Sequence, residues 1–225
     1  MPTSVEPAPA ALQEHYDGTP RPLRGNALTL LRFMAAHGML RREYAAMLIR
    51  LAWHKARLRS RLQLDGIAFI RPGVRLEVGD SGRLVLGRWC WLGDNTKVRV
   101  HEGEVSIGAK SVLGQECTIT CYQQISIGRE CIIADRTMMI DFDHVTRDVE
   151  QAIRRQGIDK RDVRVGHNVW LGYGVSVLRG VTIGDNAVVG AASVLTRDAP
   201  ANAILAGVPA RVVRMRPAPE TLRFD

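Results

Sequence analysis

Six histidines occur in the 225-residue sequence, and one of them, His144, closely follows two carboxylates. It ends the run Met139-Ile-Asp-Phe-Asp-His144, in which the acidic residues are Asp141 and Asp143. An imidazole can abstract a hydroxyl proton near neutral pH, which makes His144 a candidate general base. Asp141 or Asp143 could hold its second ring nitrogen and fix the tautomer, and a backbone carbonyl would serve equally.

The elements that would position His144 are visible as a period of six residues from position 86 onward. A large aliphatic residue opens each unit, Gly often follows it directly, and a small or β-branched residue stands four positions later. A period of six fits neither an amphipathic helix nor a lone alternating strand. It predicts short strands joined by tight turns, with large and small side chains sharing a narrow core. The aliphatic positions are Leu86, Leu92, Val98, Ile107, Leu113, Ile119, Ile127, Ile133, Met139, Val165, Leu171, Val177, Ile183, Val189 and Leu195.

The repeat stops at His144 and resumes at Val165, and the polar stretch 145–162 lies between. A loop of this length that leaves a regular wall usually carries function, and a tolerated surface insertion is the alternative. His167, by contrast, occupies an outward position of a regular unit and is interpreted as surface. Cys90, Cys117 and Cys131 fall at the small inward position, which indicates core filling rather than catalysis.

The run from Val165 to Arg214 resembles the hexapeptide-repeat acyltransferases. It contains Val165-Gly-His-Asn-Val-Trp-Leu-Gly-Tyr173 and Val181-Thr-Ile-Gly-Asp-Asn-Ala-Val-Val-Gly190. The similarity extends over residues 84–214, and it is to the galactoside and maltose O-acetyltransferase type and its relatives in envelope-polysaccharide acetylation. The resemblance implies a mainly β protein, a left-handed parallel β-helix with three units in each triangular coil. It also implies a homotrimer with active sites between neighbouring β-helices.

The same resemblance implies acetyl-CoA as the acyl donor, with no metal. His144 matches the general base of the family. The backbone N–H of Tyr173 matches the donor that stabilises the oxyanion. Further residues match the binding surface for the donor, from its pantetheine arm to its nucleotide: Trp170, Gly172, Tyr173, Ala191, Thr196, Arg197 and Arg214. Arg211 lies close to Arg214 and is a further candidate for this surface. Where relatives acting on galactosides or maltose have an Asn-rich stretch, this sequence has the acceptor-side candidates Gln115, Glu116 and Tyr122.

The predicted function is therefore transfer of an acetyl group to a hydroxyl of a sugar or glycan by direct attack. N-acetylation of an aminosugar would use the same base, and a non-catalytic β-helix scaffold or binding protein is a further alternative. A γ-class carbonic anhydrase needs three zinc-binding histidines, two of them five residues apart, and His101, His144 and His167 offer no such pair. The Asp-His-Gly-Thr-Gly signature of serine acetyltransferases is absent from the sequence.

The flanks of the repeat differ from it in kind. Residues 1–25 are predicted as a flexible tail, 26–63 as a helical segment, 64–214 as the β-helix domain and 215–225 as a second tail. The stretch 66–82 is expected to form an irregular first coil. The basic helix over residues 41–62 either caps the open end of the core or lies on an anionic membrane surface.

Composition sets further bounds on function. The formal net charge is +8 and the sequence pI about 9.8, yet aromatic residues make up only 5% and do not interleave with basic ones. This pattern argues against nucleic acid as a partner. The absence of an apolar run of about 18 residues, of a signal-peptide pattern and of paired cysteines predicts a cytoplasmic protein with reduced thiols. A membrane-peripheral location through the basic helix is the alternative.

Overall fold

The computed structural model describes residues 41–217, which form one helix followed by three parallel sheets around a narrow core. The helix, α1, spans Arg42–Leu58 and continues into a 3-10 turn, Arg59–Arg61. Sheet one contains β1 (Leu62–Asp65), β4 (Gly82–Gly87), β7 (Gly103–Ile107), β10 (Gln124–Ile127), β15 (Val163–Val165) and β18 (Thr182–Ile183). Sheet two contains β2 (Phe69–Ile70), β5 (Trp91–Leu92), β8 (Val112–Leu113), β11 (Ile132–Ile133), β16 (Trp170–Leu171), β19 (Val188–Val189), β21 (Ala203–Gly207) and β22 (Ala210–Met215). Sheet three contains β3 (Arg75–Val78), β6 (Lys97–Val100), β9 (Thr118–Cys121), β12 (Met138–Ile140), β17 (Ser176–Val177) and β20 (Val194–Leu195).

Successive strands go to successive sheets, so three strands complete one coil of a parallel β-helix. Six coils follow one another, and each strand pairs in parallel with its counterpart in the next coil, as β4 does with β7. After the sixth coil β21 returns to sheet two, and β22 runs antiparallel to it at the end of the sheet. The predicted β-helix is confirmed.

The core is built as the period of six predicts. All fifteen aliphatic positions of the repeat are buried, with exposed fractions of 4% or less. The small positions are buried as well, and their hydroxyls donate to backbone carbonyls. Thr96 and Ser111 donate to the next coil, to Gly114 and Gly128, and Thr137 donates to Ala134 of its own turn. All four cysteines are free and buried, and burial raises the pKa of the Cys117 thiol to about 11. The cysteines therefore fill the core, as expected.

The turns explain the Gly and Asn positions of the repeat. A Cβ at Gly93 would lie 2.4 Å from the backbone of Gly114 in the next coil, so the coils stack this closely only without a side chain there. Asn168, Asn186 and Asn202 have φ angles of 54°, 60° and 61° at one corner of successive turns. Their side-chain amides hydrogen-bond to one another at 2.8 and 3.1 Å, forming a ladder along that corner.

Two predicted features of the N-terminal part are wrong. The helical segment was expected to reach residue 63, but α1 ends at Leu58 and β1 begins at Leu62. The sequence is ambiguous here, because Leu62 stands four residues after Leu58, a spacing typical of a helix. In the structure Leu62 is instead the first inward-facing residue of β1. The first coil, expected to be irregular, pairs in register with the second along all three sheets. The predicted tail 1–25, residues 26–40 of the predicted helical segment and the terminal residues 218–225 lie outside the described range.

The chain divides after Ala46 into two compact units, and of the first the structure describes only residues 41–46. Within the second unit, Met47, Leu51, His54 and Leu58 form the buried side of α1, at helical spacing. Leu51 and Leu58 join the core cluster of the β-helix, so α1 caps its first coil. Among the described residues no helix is both long and apolar enough to cross a membrane, and contact of α1 with a membrane surface stays a prediction.

His54 makes this cap sensitive to pH. Burial, together with the positive charge of Arg57, lowers the pKa of His54 from 6.5 to about 4, and its Nδ1 has no hydrogen-bond partner among the described residues. Below about pH 6.5 the unfolded chain takes up a proton here that the folded chain excludes, so stability falls until about pH 4. We expect His54 to lower the free energy of unfolding by about 2 kcal/mol between pH 7 and pH 5.

Urea unfolding of wild type and His54→Leu at the two pH values tests this expectation. The leucine variant should lose less stability than wild type on acidification, because other titrating groups are common to both proteins. An equal loss in the two proteins would show that His54 is not the source.

Candidate active site

His144 lies on a hairpin that leaves the β-helix after the fourth coil. β13 (Phe142–His144) pairs antiparallel with β14 (Ile158–Lys160), so the predicted loop 145–162 includes a strand and only its first part forms the tip. The hairpin departs from the corner between sheet three and sheet one, called here the hairpin edge. His144 is exposed, and within residues 41–217 neither of its ring nitrogens has a hydrogen-bond partner. Its imidazole is therefore open to a substrate.

Asp141 was one of the two residues predicted to orient His144, but it does not contact the imidazole. It is fully buried, and both of its carboxylate oxygens are engaged by an earlier turn. Oδ1 accepts the N–H of Tyr122 at 2.8 Å, and Oδ2 accepts those of Gln123 and Gln124 at 2.7 and 2.8 Å. The carbonyl oxygen of Asp141 also accepts the N–H of Arg161 at 2.8 Å. Asp141 thus fastens the base of the hairpin to the preceding coil.

Asp143, the second candidate, is paired with an arginine instead of with His144. Its Oδ2 accepts a hydrogen bond from Nε of Arg179 at 2.5 Å, and Arg179 also contacts Asp159 on β14 at 3.2 Å. Because neighbouring side chains of a strand point to opposite faces, Asp143 and His144 face away from each other. Asp143 therefore joins the hairpin to the fifth coil and does not fix the tautomer of His144.

A stack of rings runs along the hairpin edge to His144. His101 stacks on Tyr122 with ring centroids 4.4 Å apart, and Tyr122 meets Phe142 edge-on at 4.7 Å. The ring of Phe142 in turn meets that of His144 edge-on, with the centroids 6.3 Å apart. Lys160 of β14 lies over the Tyr122 ring at 5.6 Å. The stack gives the base of the hairpin a rigid support.

A second group of predicted residues lies at another corner, between sheets two and three, called here the tyrosine edge. Trp170 and Tyr173 are half exposed, and Arg136 lies over the Tyr173 ring at 5.9 Å. Gly172 is buried, and a Cβ there would come within 2.7 Å of the Ala191 backbone.

The backbone N–H of Tyr173 has no hydrogen-bond partner among the described residues, and the neighbouring coil explains why. At the same corner two coils earlier, the N–H of Gln115 donates to the Asp135 carboxylate of the next coil at 2.7 Å. The residue that follows Tyr173 by one coil is Ala191, whose side chain has no hydrogen-bond acceptor. The N–H of Tyr173 therefore has no acceptor within the described residues.

The remaining predicted residues are divided between these places. Gln115, Glu116 and Ala191 lie on the tyrosine edge, and Glu116 is paired with Arg136 at 2.7 Å. Tyr122, Thr196 and Arg197 lie on the hairpin edge, where the last two are exposed. Arg211 and Arg214 are exposed on β22. The structure thus brings the predicted residues onto two edges and one terminal strand, and it does not gather them into one site within a single chain.

Known proteins with the same repeat and the same fold resemble this chain. The family model "Bacterial transferase hexapeptide (six repeats)" matches residues 162–197, and "Hexapeptide repeat of succinyl-transferase" matches residues 104–134. Galactoside O-acetyltransferase of Escherichia coli is 32% identical over 144 residues, which are 61% of this chain and 70% of that protein. The chain belongs to the hexapeptide-repeat acetyltransferase family.

Two further proteins resemble the chain over different shares of their length. A Mycobacterium tuberculosis protein named a probable acetyltransferase is 40% identical over 152 residues, which cover 67% of this chain but only about half, 51%, of that protein. A crystal structure of a hexapeptide-repeat acetyltransferase from Vibrio cholerae superimposes with a TM-score of 0.54 at 24% identity, over 59% of this chain and 73% of that one. The superposition shows that the two share the β-helix fold.

Several residues that shape this candidate site were missed in the sequence. Arg179 was not singled out in the sequence, although it forms ion pairs with Asp143 and Asp159 on the two strands of the hairpin. His101 and Phe142 were also missed, although Tyr122, which stacks between them, was an acceptor-side candidate. The three rings occupy the same corner of successive coils, and this spacing of about one coil is the signal that could have found the other two.

Proposed function

We propose that this protein transfers an acetyl group from acetyl-CoA to a hydroxyl of a sugar or glycan. The observation that carries the proposal is His144, an exposed imidazole without a hydrogen-bond partner in the described chain, on the hairpin that interrupts the repeat. The relative of this chain from Escherichia coli is named a galactoside O-acetyltransferase, which supports a sugar hydroxyl as the acceptor.

The chemistry follows from two groups. His144 accepts the proton of the acceptor hydroxyl while the hydroxyl oxygen attacks the thioester carbonyl. The N–H of Tyr173 donates to the oxyanion of the tetrahedral intermediate, and one such donor lowers the barrier by about 3 kcal/mol. When the C–S bond breaks, the imidazolium returns its proton to the leaving thiolate. No covalent bond to the protein forms.

These two groups lie on different edges of one prism, so a site that uses both takes one edge from each of two chains. The outer face of sheet two supports such an assembly. Its outward column runs through Trp91, Val112, Ile132, Trp170, Val188 and Ile204 in register. Ile132 is 57% exposed and Trp170 52%. The matching column of sheet one is largely polar, with Ser106, Ser126 and Arg164. We infer that the apolar column packs against a second copy and that the protein is a homotrimer.

Replacing Ile132 by Glu tests this assembly, because a charge in the centre of an apolar interface would have to be desolvated without a partner. Light scattering should give about three times 24.9 kDa for wild type and a smaller mass for Ile132→Glu at micromolar concentration. Val85→Glu, an outward residue of sheet one, is the matched control and should stay trimeric. A monomeric wild type, or an Ile132→Glu trimer as stable as wild type, would contradict the assembly.

Further residues are proposed for the acyl donor. Trp170, Gly172 and Ala191 would line its pantetheine arm on the tyrosine edge. Basic and polar groups near the end of the β-helix would face its phosphates, since arginine is well suited to paired hydrogen bonds with phosphate oxygens. These groups are Thr196, Arg197, Arg211 and Arg214.

A screen of acceptors that reports the free thiol of CoA tests the function. Oligosaccharides, monosaccharides and aminosugars should be offered with acetyl-CoA, and product masses should show whether an oxygen or a nitrogen is acetylated. We expect thiol release to depend on a hydroxyl acceptor. Products acetylated only on nitrogen would favour the aminosugar alternative, and failure to bind acetyl-CoA would favour a scaffold.

A further inference from the structure

A cleft of about 460 Å³ opens on the hairpin edge beside the C-terminal end of α1 and the first two coils. Its wall carries three arginines, Arg57, Arg61 and Arg99, together with His101 and a single carboxylate, Glu77. Arg99 is the partner of Glu77, at 3.2 Å. The positive charge of the cleft therefore exceeds its negative charge.

Two of the arginines are held by neutral groups. Arg57 donates to the carbonyl oxygen of Leu76 at 2.5 Å, and Arg61 to that of Val78 at 3.0 Å. Main-chain carbonyls fix the position of a guanidinium without cancelling its charge. Arg61 also contacts Asp80 at 2.9 Å, but the Asp80 side chain is fully exposed, so solvent screens the pair strongly.

Arg57 has no carboxylate within ion-pair distance among the described residues. Its charge acts on its surroundings, since it contributes to the low pKa of the buried His54. A guanidinium that is fixed, uncompensated and adjacent to a cleft is suited to bind the oxygens of a carboxylate or phosphate.

The cleft is connected to His144 by the ring stack described above. His101 lines the cleft, and its ring is the first of the stack that passes through Tyr122 and Phe142 to His144. The ring centroids along this path are 4.4, 4.7 and 6.3 Å apart, so a ligand group in the cleft lies on the same edge as the general base, three ring contacts away.

We propose that the cleft binds an anionic group of the acceptor, so that the acceptor is an acidic oligosaccharide or a sugar phosphate rather than a neutral monosaccharide. The inference rests on the proposed function, because it places the acceptor relative to His144. The chemistry it assigns is an oxyanion held by Arg57 together with Arg99, whose pair with Glu77 is exposed (39% and 52%) and therefore screened by solvent. The hydroxyl to be acetylated would lie farther along the edge.

Direct binding tests the inference without any acyl donor. Isothermal titration calorimetry would measure a trigalacturonate, its neutral galactose counterpart and galactose 1-phosphate against wild type, Arg57→Gln and Arg99→Gln. Arg99→Gln keeps the hydrogen bonds of Arg57 and Arg61 to main-chain carbonyls, so it remains informative if Arg57→Gln fails to fold. Arg83→Gln, which removes the same charge outside this cleft, is the control.

We expect at least one anionic probe to bind wild type more tightly than the neutral one, and each cleft variant to weaken that binding about tenfold or more. Arg83→Gln should stay within about twofold of wild type because exposed ion pairs contribute little. Binding of the trigalacturonate would identify a carboxylate, and binding of galactose 1-phosphate a phosphate.

The inference would be overturned by equal binding of neutral and anionic probes, or by an equal loss in Arg83→Gln. Competition of adenosine 3′,5′-bisphosphate for the same residues would also overturn it, by assigning the cleft to the nucleotide of the donor. Thiol release in the acceptor screen without selective anion binding would leave the proposed function standing and this inference wrong.

Discussion

Replacing His144 by Ala is expected to lower the rate of acetyl transfer about 10²- to 10⁴-fold, the range that a positioned general base contributes. The variant should keep the fold, because the His144 side chain is exposed and makes no hydrogen bond within the described chain. Binding of acetyl-CoA and the oligomeric mass should therefore match wild type. The measurement is the initial rate of thiol release at saturating concentrations of both substrates.

His167→Ala is the matched control for this experiment. His167 is also exposed, but it lies at the corner between sheets one and two, and its Nδ1 accepts the N–H of Arg129 at 3.1 Å. Its replacement should leave the rate within about threefold of wild type, since it is remote from the hairpin edge. A His144→Ala rate within the same limits would refute the assignment of the base.

Replacing Asp141 by Ala is expected to reduce the free energy of unfolding by about 3–5 kcal/mol. Three backbone N–H groups, of Tyr122, Gln123 and Gln124, would lose a charged acceptor at a buried position. Asp141→Asn should cost less, because one carbonyl oxygen can still accept two of these bonds. Chemical denaturation followed by circular dichroism gives both values.

Asp143→Ala supplies the comparison, two residues along the same chain. The Asp143 carboxylate is 47% exposed and paired with Arg179, so its loss should cost less than about 1 kcal/mol. If both alanine variants unfold at the same denaturant concentration, Asp141 does not fasten the hairpin as described.

The period of six determined the architecture from the sequence alone. Each unit repeats the same local geometry, so the direction of every side chain follows from its position in the unit. This is why Leu86 and Leu195, far apart in the chain, were both placed correctly in the core. The break in the period at His144 likewise marked the hairpin, because a regular wall cannot absorb extra residues without ejecting them.

The roles of neighbouring polar residues were decided only by the tertiary structure. Asp141 is three residues before His144 in the sequence, but its partners come from the turn 17 to 19 residues earlier, which stacking of the coils places beside it. The same stacking puts His144 and Tyr173 on different edges of the prism. Spacing along the chain reports which way a side chain points, and only the packing of successive coils determines which groups it meets.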